Sequence, residues 1–344
     1  MPSIEIPIWP YAYGQPTSTG TLRCQPEDFT VTEQLAFEPS GTGEHVFLFI
    51  EKIGENTEYI ARLLARHANV RQRDIGYAGL KDRHAITRQW FSVWIPGKPE
   101  LEPDWTPLNS PQLRILHTVR HARKLKRGVL AGNQFKIIVR NWQGDAEMLH
   151  QQLAQIKAHG IPNYYGEQRF GHNGQNVNKA LGLFQGAKTG REQRSLYLSA
   201  ARSFLFNHLL AERVRTQTWN QALSGDTYVF DRSNSCFKSG QADDDITRRL
   251  STGDIHPSGV LWGKGTADVA DEALQTEQNI IAAYPELADG LIAAGADRNR
   301  RSLRVNVFDL EWTFLSEDVL ELAFSLPAGS YATAVLREVV RYGE

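Results

Sequence analysis

The 344-residue chain sets 38 lysines and arginines against 39 aspartates and glutamates, with 41% hydrophobic and 22% charged side chains. This is the make-up of a globular protein of about two domains that buries its core without disulfide staples, and it excludes disordered, collagen-like and fibrous classes. No apolar stretch approaches a membrane span, the N-terminal segment lacks a secretory pattern, and two cysteines (Cys24, Cys236) with ten scattered histidines form neither a disulfide framework nor a zinc site, so a cytoplasmic protein with no metal is expected.

Glu44–Lys52 (EHVFLFIEK) is apolar on both faces and predicts a buried central strand. Asn56 is placed to cap a helix running to about Asn69, with Tyr59, Ile60, Leu63 and Leu64 as its apolar stripe and Arg62 and Arg66 facing out. Ile86–Ile95, β-branched and aromatic, predicts a strand stopped by Pro96 and Gly97; Gln112–Val119 and Phe135–Arg140 predict two more. Glu147–His159 predicts a helix ended by Gly160. Arg194–Arg215 and Val269–Ala283 predict long helices, with the polar stretch Asp231–Asp254 between them read as loops and short elements. Strand texture returns at Leu303–Val307, Glu311–Phe314 and Val319–Phe324, and a helix from about Ser330 to Arg341 closes the chain. Strands, then helices, then strands again predict one sheet domain interrupted by an insertion at about 160–303.

The near-zero net charge hides an asymmetry. Trp105–Gly144 holds no acidic residue but eight basic ones: Arg114, Arg120, Arg123, Lys124, Lys126, Arg127, Lys136 and Arg140. Gln241–Arg300 holds eleven acids and five basic residues. A basic stripe offset by an acidic face is the footprint of a phosphate-backbone binder, although a solvated basic surface would look the same.

Five segments could carry chemistry. In Ile75–Arg88 (IGYAGLKDRHAITR), Gly76 and Gly79 bracket a turn, and Lys81, Asp82, Arg83 and His84 follow just before a strand. Neighbouring positive charge favours a charged carboxylate, which suits a nucleophile or base acting on a polyanion; alone, such a tetrad is more often a surface turn. In Phe29–Glu33 (FTVTE), strand alternation puts Glu33 on the apolar face with Phe29 and Val31, where it needs a partner; Arg23 is a candidate. In Asn133–Arg140 (NQFKIIVR), Phe135 could stack on an unpaired base, or form a core face with Ile137 and Val139. Pro162–Gly171 (PNYYGEQRFG) concentrates aromatic and forked polar side chains, as binding loops do and as domain hinges also do. The helix start in Leu326–Glu338 (LPAGSYATAVLRE) could present N–H groups to an anion, or simply pack on the sheet.

Taken in order, FTVTE, GLKDRHA, GNQF, NYYGEQRFG, SFLFNHLLAERV and SLPAGSYATAVLRE resemble the tRNA pseudouridine synthase D family from about Gly20 to Arg341. The resemblance implies an α+β pseudouridine synthase fold, a mixed, largely antiparallel sheet with flanking helices, carrying an inserted α/β TRUD domain. Residues 1–159 and 304–344 would be the catalytic domain and 160–303 the insertion. It implies isomerisation of a uridine in tRNA, at position 13 of the D arm, with no cofactor or metal. Nothing in the sequence points to a membrane, a protein partner or more than a monomer. The family's Gly-x-Lys-Asp motif places the catalytic aspartate at Asp82, with Lys81 beside it. Its Asn-x-Phe motif places the base-stacking aromatic at Phe135, beside Asn133. The basic residue before the first strand falls at Arg23, a natural partner for Asp82. Glu167, Gln168 and Arg169 match the family's insertion-boundary motif, and these three and Glu33 are candidates for substrate binding; Lys124, Lys126 and Arg127 would grip RNA phosphates. The target base lies inside stacked RNA and must be flipped out. Asp82 could attack the anomeric carbon, add to carbon 6 of uracil, or remove a ribose proton. Two other readings compete: a tRNA-binding protein without catalysis, and a hydrolase using Asp82 and Glu33 as a carboxylate pair. The second would leave the acid-free basic stripe unexplained.

Overall fold

A computed structural model describes residues 4–83, 85–97, 100, 102–126, 128–233, 235–239 and 242–342. His84 and Arg127 lie outside the described residues. The chain divides into two compact units. A sheet unit comprises Ser18–Gly144 and Phe308–Gly329; a helical unit comprises the residues up to Thr17, Asp145–Val307 and Ser330–Arg341.

The first part of the chain forms β1 (Thr19–Thr21), β2 (Phe29–Leu35), β3 (His45–Ile53), α1 (Thr57–His67), β4 (Ile75–Tyr77), β5 (Ile86–Trp94), β6 (Leu113–His121) and β7 (Leu130–Gln143). The helical unit follows with α2 (Ala146–His159), β8 (Ile161–Pro162), α3 (Gln175–Phe184), α4 (Arg191–Arg215), β9 (Thr227–Phe230), β10 (Cys236–Lys238) and α5 (Asp244–Thr252). It continues with β11 (Ile255–Leu261), α6 (Asp271–Ala283), α7 (Pro285–Ala293), β12 (Asn299–Ser302) and β13 (Arg304–Val305). The chain returns to the sheet unit as β14 (Phe308–Ser316) and β15 (Val319–Pro327), and ends with α8 (Ala332–Val339) and β16 (Arg341–Tyr342).

The large sheet runs β14-β15-β7-β2-β5-β3-β6, with β1 added to β7 and β4 to β5. Only the β2–β5 pairing among these is parallel, so the sheet is mixed and largely antiparallel and the class is α+β. As its two-sided apolar pattern demands, β3 lies between β5 and β6, with Val46, Phe47, Leu48 and Ile50 fully buried. On α1 the buried face is Ile60, Ala61, Leu64 and Ala65; Tyr59, expected on that face, is exposed, because the 3.6-residue period turns it a step away. Asn56 precedes α1 but makes no side-chain cap bond. β7 is far longer than the predicted Phe135–Arg140, because it pairs with β15 over Gly132–Val139 and with β2 over Leu130–Ile137. Leu303–Val307 shrinks to the two-residue β13, paired with β8.

The helical unit packs α3, α4 and α7 around one aromatic-rich core that includes Trp9, Tyr164, Tyr165, Phe170, Phe204 and Phe206. The N-terminal segment docks late-chain residues there. Ala12 and Tyr13 donate their N–H groups to the buried Glu338 carboxylate at 2.9 and 3.4 Å, and Arg337 donates to the carbonyl of Pro10 at 3.2 Å. Among the described residues no helix is long and apolar enough to cross a membrane.

Candidate active site

β4 and β5 are antiparallel neighbours, with Tyr77 opposite Phe91, and the loop joining them carries Asp82. Buried polar groups brace this loop. Gln89 Nε2 donates to the Gly79 carbonyl at 2.7 Å, and Lys81 N donates to Thr57 Oγ1 at 3.1 Å. The Thr57 hydroxyl donates in turn to Gln89 Oε1 at 2.9 Å. Lys52 Nζ donates to the Glu55 carbonyl at 2.7 Å and to the Asp82 carbonyl at 3.4 Å. Arg83 Nε donates to the Gly54 carbonyl at 3.0 Å. Lys52, Thr57 and Gln89 are buried, so water does not compete for these bonds.

The Asp82 side chain itself is part-exposed, with Oδ2 3.0 Å from Arg23 Nη2. Arg23 sits at φ 58, a left-handed conformation uncommon for a residue with a Cβ, and its guanidinium lies 4.6 Å from the centre of the Phe29 ring. Phe29 meets Phe135 edge-on at 6.4 Å, and Phe135 stacks on Phe324 at 5.4 Å. Register explains the aromatic row: Phe135 of β7 faces Val31 of β2 on one side and Phe324 of β15 on the other. Phe135, Ile137 and Val139 are all buried, so Phe135 belongs to the core face as well as to this wall.

Glu33 is 3% exposed and lies within β2. Its partner is Lys81, not Arg23: Lys81 Nζ lies 3.0 Å from Oε1, while Oε2 accepts from Trp90 N at 2.9 Å. The same ammonium donates a short bond to Asn133 Oδ1, at 2.6 Å. Burial raises the Glu33 carboxyl above the usual carboxylate range, and Lys81 pulls it partly back. Arg23, Glu33, Lys81, Asp82, Asn133 and Phe135 therefore form one connected cluster in the sheet unit. In chemical terms it presents a fixed, accessible carboxylate beside an arginine, with an aromatic wall and a buried ion pair behind.

The other expected residues lie elsewhere. Glu167 and Gln168 are exposed on a turn of the helical unit, where Arg169 donates to Tyr331 Oη at 2.9 Å and covers the Tyr165 ring. The aromatics of the same segment, Tyr164, Tyr165 and Phe170, are core. Lys124 and Lys126 sit on a surface groove of the sheet unit, described below. The helix start of α8 has no side-chain cap.

Lys52, Thr57 and Gln89 were not anticipated; the available signal was a charged residue still inside a strand apolar on both faces. Burial lowers the Lys52 ammonium from 10.5 to about 8, against the pull of Asp82. The folded protein thus releases this proton first, and stability should rise as pH climbs from about 8 to 10.5. The gain expected is up to about 3 kcal/mol. Urea midpoints at both ends of that window should show it in the wild type and lose it in Lys52→Met. An equal rise in both proteins would clear Lys52 of the effect.

A crystal structure from Methanosarcina mazei carrying the tRNA pseudouridine synthase D name superposes with a TM-score of 0.73 over 98% of each chain, at 23% identity. The sheet unit with its braced aspartate loop thus belongs to a known α+β architecture. The family model for tRNA pseudouridine synthase D matches residues 5–185 and 186–339. Proteins named tRNA pseudouridine synthase D from Methylococcus capsulatus and Nitrosococcus oceani are 50% and 49% identical, each over 97% of this chain and 94% of the relative. The chain belongs to the tRNA pseudouridine synthase D family.

Proposed function

We propose that this protein isomerises a uridine of tRNA to pseudouridine, at position 13 in the D arm, with Asp82 as the catalytic nucleophile or base. The reaction breaks the bond from ribose C1′ to uracil N1, turns the base and joins C1′ to C5; C5 gives up its proton and N1 takes one up. Substrate and product have the same atoms, so no cofactor is consumed. The observation that carries the reading is the Asp82 carboxylate, accessible and 3.0 Å from Arg23, on a loop braced by buried side chains in a chain of this family.

In this reading Arg23 keeps Asp82 aimed, and the Glu33–Lys81–Asn133 group holds the loop from behind. Phe135, backed by Phe29 and Phe324, supplies the aromatic wall for a uridine flipped out of its stack. The exposed Glu167 and Gln168, with Arg169, contact the RNA from the helical unit, whose residues 160–303 correspond to the family-specific insertion. The protein works as a monomer in the cytoplasm.

The test is chemical mapping of pseudouridine in bulk tRNA from cells lacking the gene, after incubation with the purified protein. One new site at position 13 is the expected result. Tight binding with no new site would make the chain a tRNA binder with a synthase fold.

A further inference from the structure

We propose that a cationic groove along α1, β4 and the segment Lys124–Lys126 is a docking site for the phosphodiester backbone of the tRNA strand beside the target uridine. The proposal rests on the tRNA reading above and extends it to a surface away from the Asp82 cluster.

Two adjoining surface concavities, of about 450 and 580 Å³, meet at Gln72. Arg62 and Arg66 line the first; Arg73, Tyr77, Lys124 and Lys126 line the second. Among the described residues, none that lines either one is acidic. The nearby Asp74 carboxylate is engaged by the Arg71 N–H at 3.2 Å.

The charge of these cations is unspent. Half of the acid-free stripe is neutralised within the fold: Arg114 by Glu51 at 3.7 Å, Arg120 by Glu102 at 3.3 Å, Lys136 by Glu321 at 2.8 Å and Arg140 by Asp28 at 2.8 Å. Among the described residues, Arg62, Arg66, Arg73, Lys124 and Lys126 have no carboxylate within ion-pair distance. Arg62 and Arg66 of α1 and Arg73 just before β4 join Lys124 and Lys126 of the stripe in one basic surface that the stripe alone does not reveal.

The groove is also built firmly. Gly76 lets its two walls touch: a Cβ there would stand 2.4 Å from the Leu125 carbonyl oxygen. Leu125 N donates to Ser92 Oγ at 3.0 Å, and Lys124 Nζ donates to the Arg73 carbonyl. Arg62 and Arg66 stand one helical turn apart on α1, about 5–6 Å between Cβ atoms, so their guanidinium groups can serve successive phosphates. Tyr77 precedes Asp82 by five residues, so the groove's edge lies within about 18 Å of it by chain length alone. A strand a few nucleotides from the target can occupy the groove. Open at the surface and lined by cations without carboxylate partners, it fits a polyanion better than a small enclosed ligand.

The test compares the wild type with R62Q/R66Q/R73Q, all three exposed positions. Affinity for unmodified tRNA is measured across a salt series, with pseudouridine formation followed in the same samples. The plot of log K against log salt should become shallower by about two to three. The loss should fall on KM, by about tenfold or more, rather than on kcat. Arg248→Gln, which removes an exposed arginine spent on Asp245, should change neither. An unchanged slope in the triple variant overturns the groove. Salt-dependent binding that depends on the groove, with no product from the wild type, keeps the groove and overturns the enzymatic reading instead. Absence of salt-dependent binding by the wild type overturns both.

Discussion

Asp82→Asn is expected to lower kcat for pseudouridine formation by at least about ten-thousandfold, the scale seen when a single catalytic group is removed. The amide keeps the size of the carboxylate and can still accept a hydrogen bond from Arg23, but it is neither a nucleophile nor a base at neutral pH. The Arg23–Asp82 pair is part-exposed on both sides, so losing its charge should cost no more than about 1 kcal/mol of stability. The loop's bracing runs through backbone groups of Gly79, Lys81 and Asp82, which the substitution leaves in place. Affinity for tRNA should persist, because phosphate contacts dominate it. Single-turnover measurement with saturating protein reads the chemical step directly. A variant retaining more than about a hundredth of the wild-type rate would assign Asp82 at most a supporting part.

Glu33→Gln should be the most destabilising change in the cluster, by about 3–5 kcal/mol, read as the urea midpoint. Gln keeps an oxygen for Trp90 N and fills the same space, so neither a cavity nor an unpaired backbone N–H accounts for the loss. The cost comes from the Lys81 ammonium, whose side chain is 9% accessible and which would lie beside Asn133 without its counter-ion. Adding Lys81→Met should restore a good part of the stability, since an apolar pair of similar volume often matches a buried ion pair. Activity should stay low in the double variant, because Lys81 adjoins Asp82 and its ammonium ties the loop to β7. A single variant as stable as the wild type would mean that Lys81 reaches water when Glu33 is neutral.

The split between what could and could not be read in advance follows sequence distance. Strand alternation put Phe29, Val31 and Glu33 on one face, and all three are buried. For Glu33, nearness in the chain makes Arg23 a candidate partner, but Arg23 pairs with Asp82 instead. The contact that forms comes from Lys81, which reaches Glu33 across the β2–β5 pairing. Lys52, Thr57 and Gln89 carry no local signature, since each acts on a loop that only the sheet register brings near. Tyr164, Tyr165 and Phe170 have the composition of a binding loop, yet composition does not distinguish an aromatic cluster facing a ligand from one facing α4. In the helical unit, α3 (QNVNKALGLF) was missed because asparagine and glycine dilute its helical pattern; packing against α4 and α7 sustains it. β11 (IHPSGVL) was hidden by its proline and glycine, and Gly259 is needed there because a Cβ would press on Leu303 and Leu209.

The Glu338 carboxylate that receives Ala12 and Tyr13 has a consequence for how the chain is made. These partners are 326 and 325 positions apart, so Ala12 and Tyr13 are made long before the carboxylate that receives them. At about 5–20 residues per second, that wait is roughly 15–65 s. Throughout it Trp9, destined for the core, has no finished site to enter. The sheet unit has a related delay, because β7 stays an open edge on one side until β15 is synthesised. Cotranslational folding of this protein should therefore end in one late, nearly simultaneous closure of both units. Nascent chains stalled shortly before Glu338 should be cut readily by protease near Trp9, a vulnerability that completion of α8 removes.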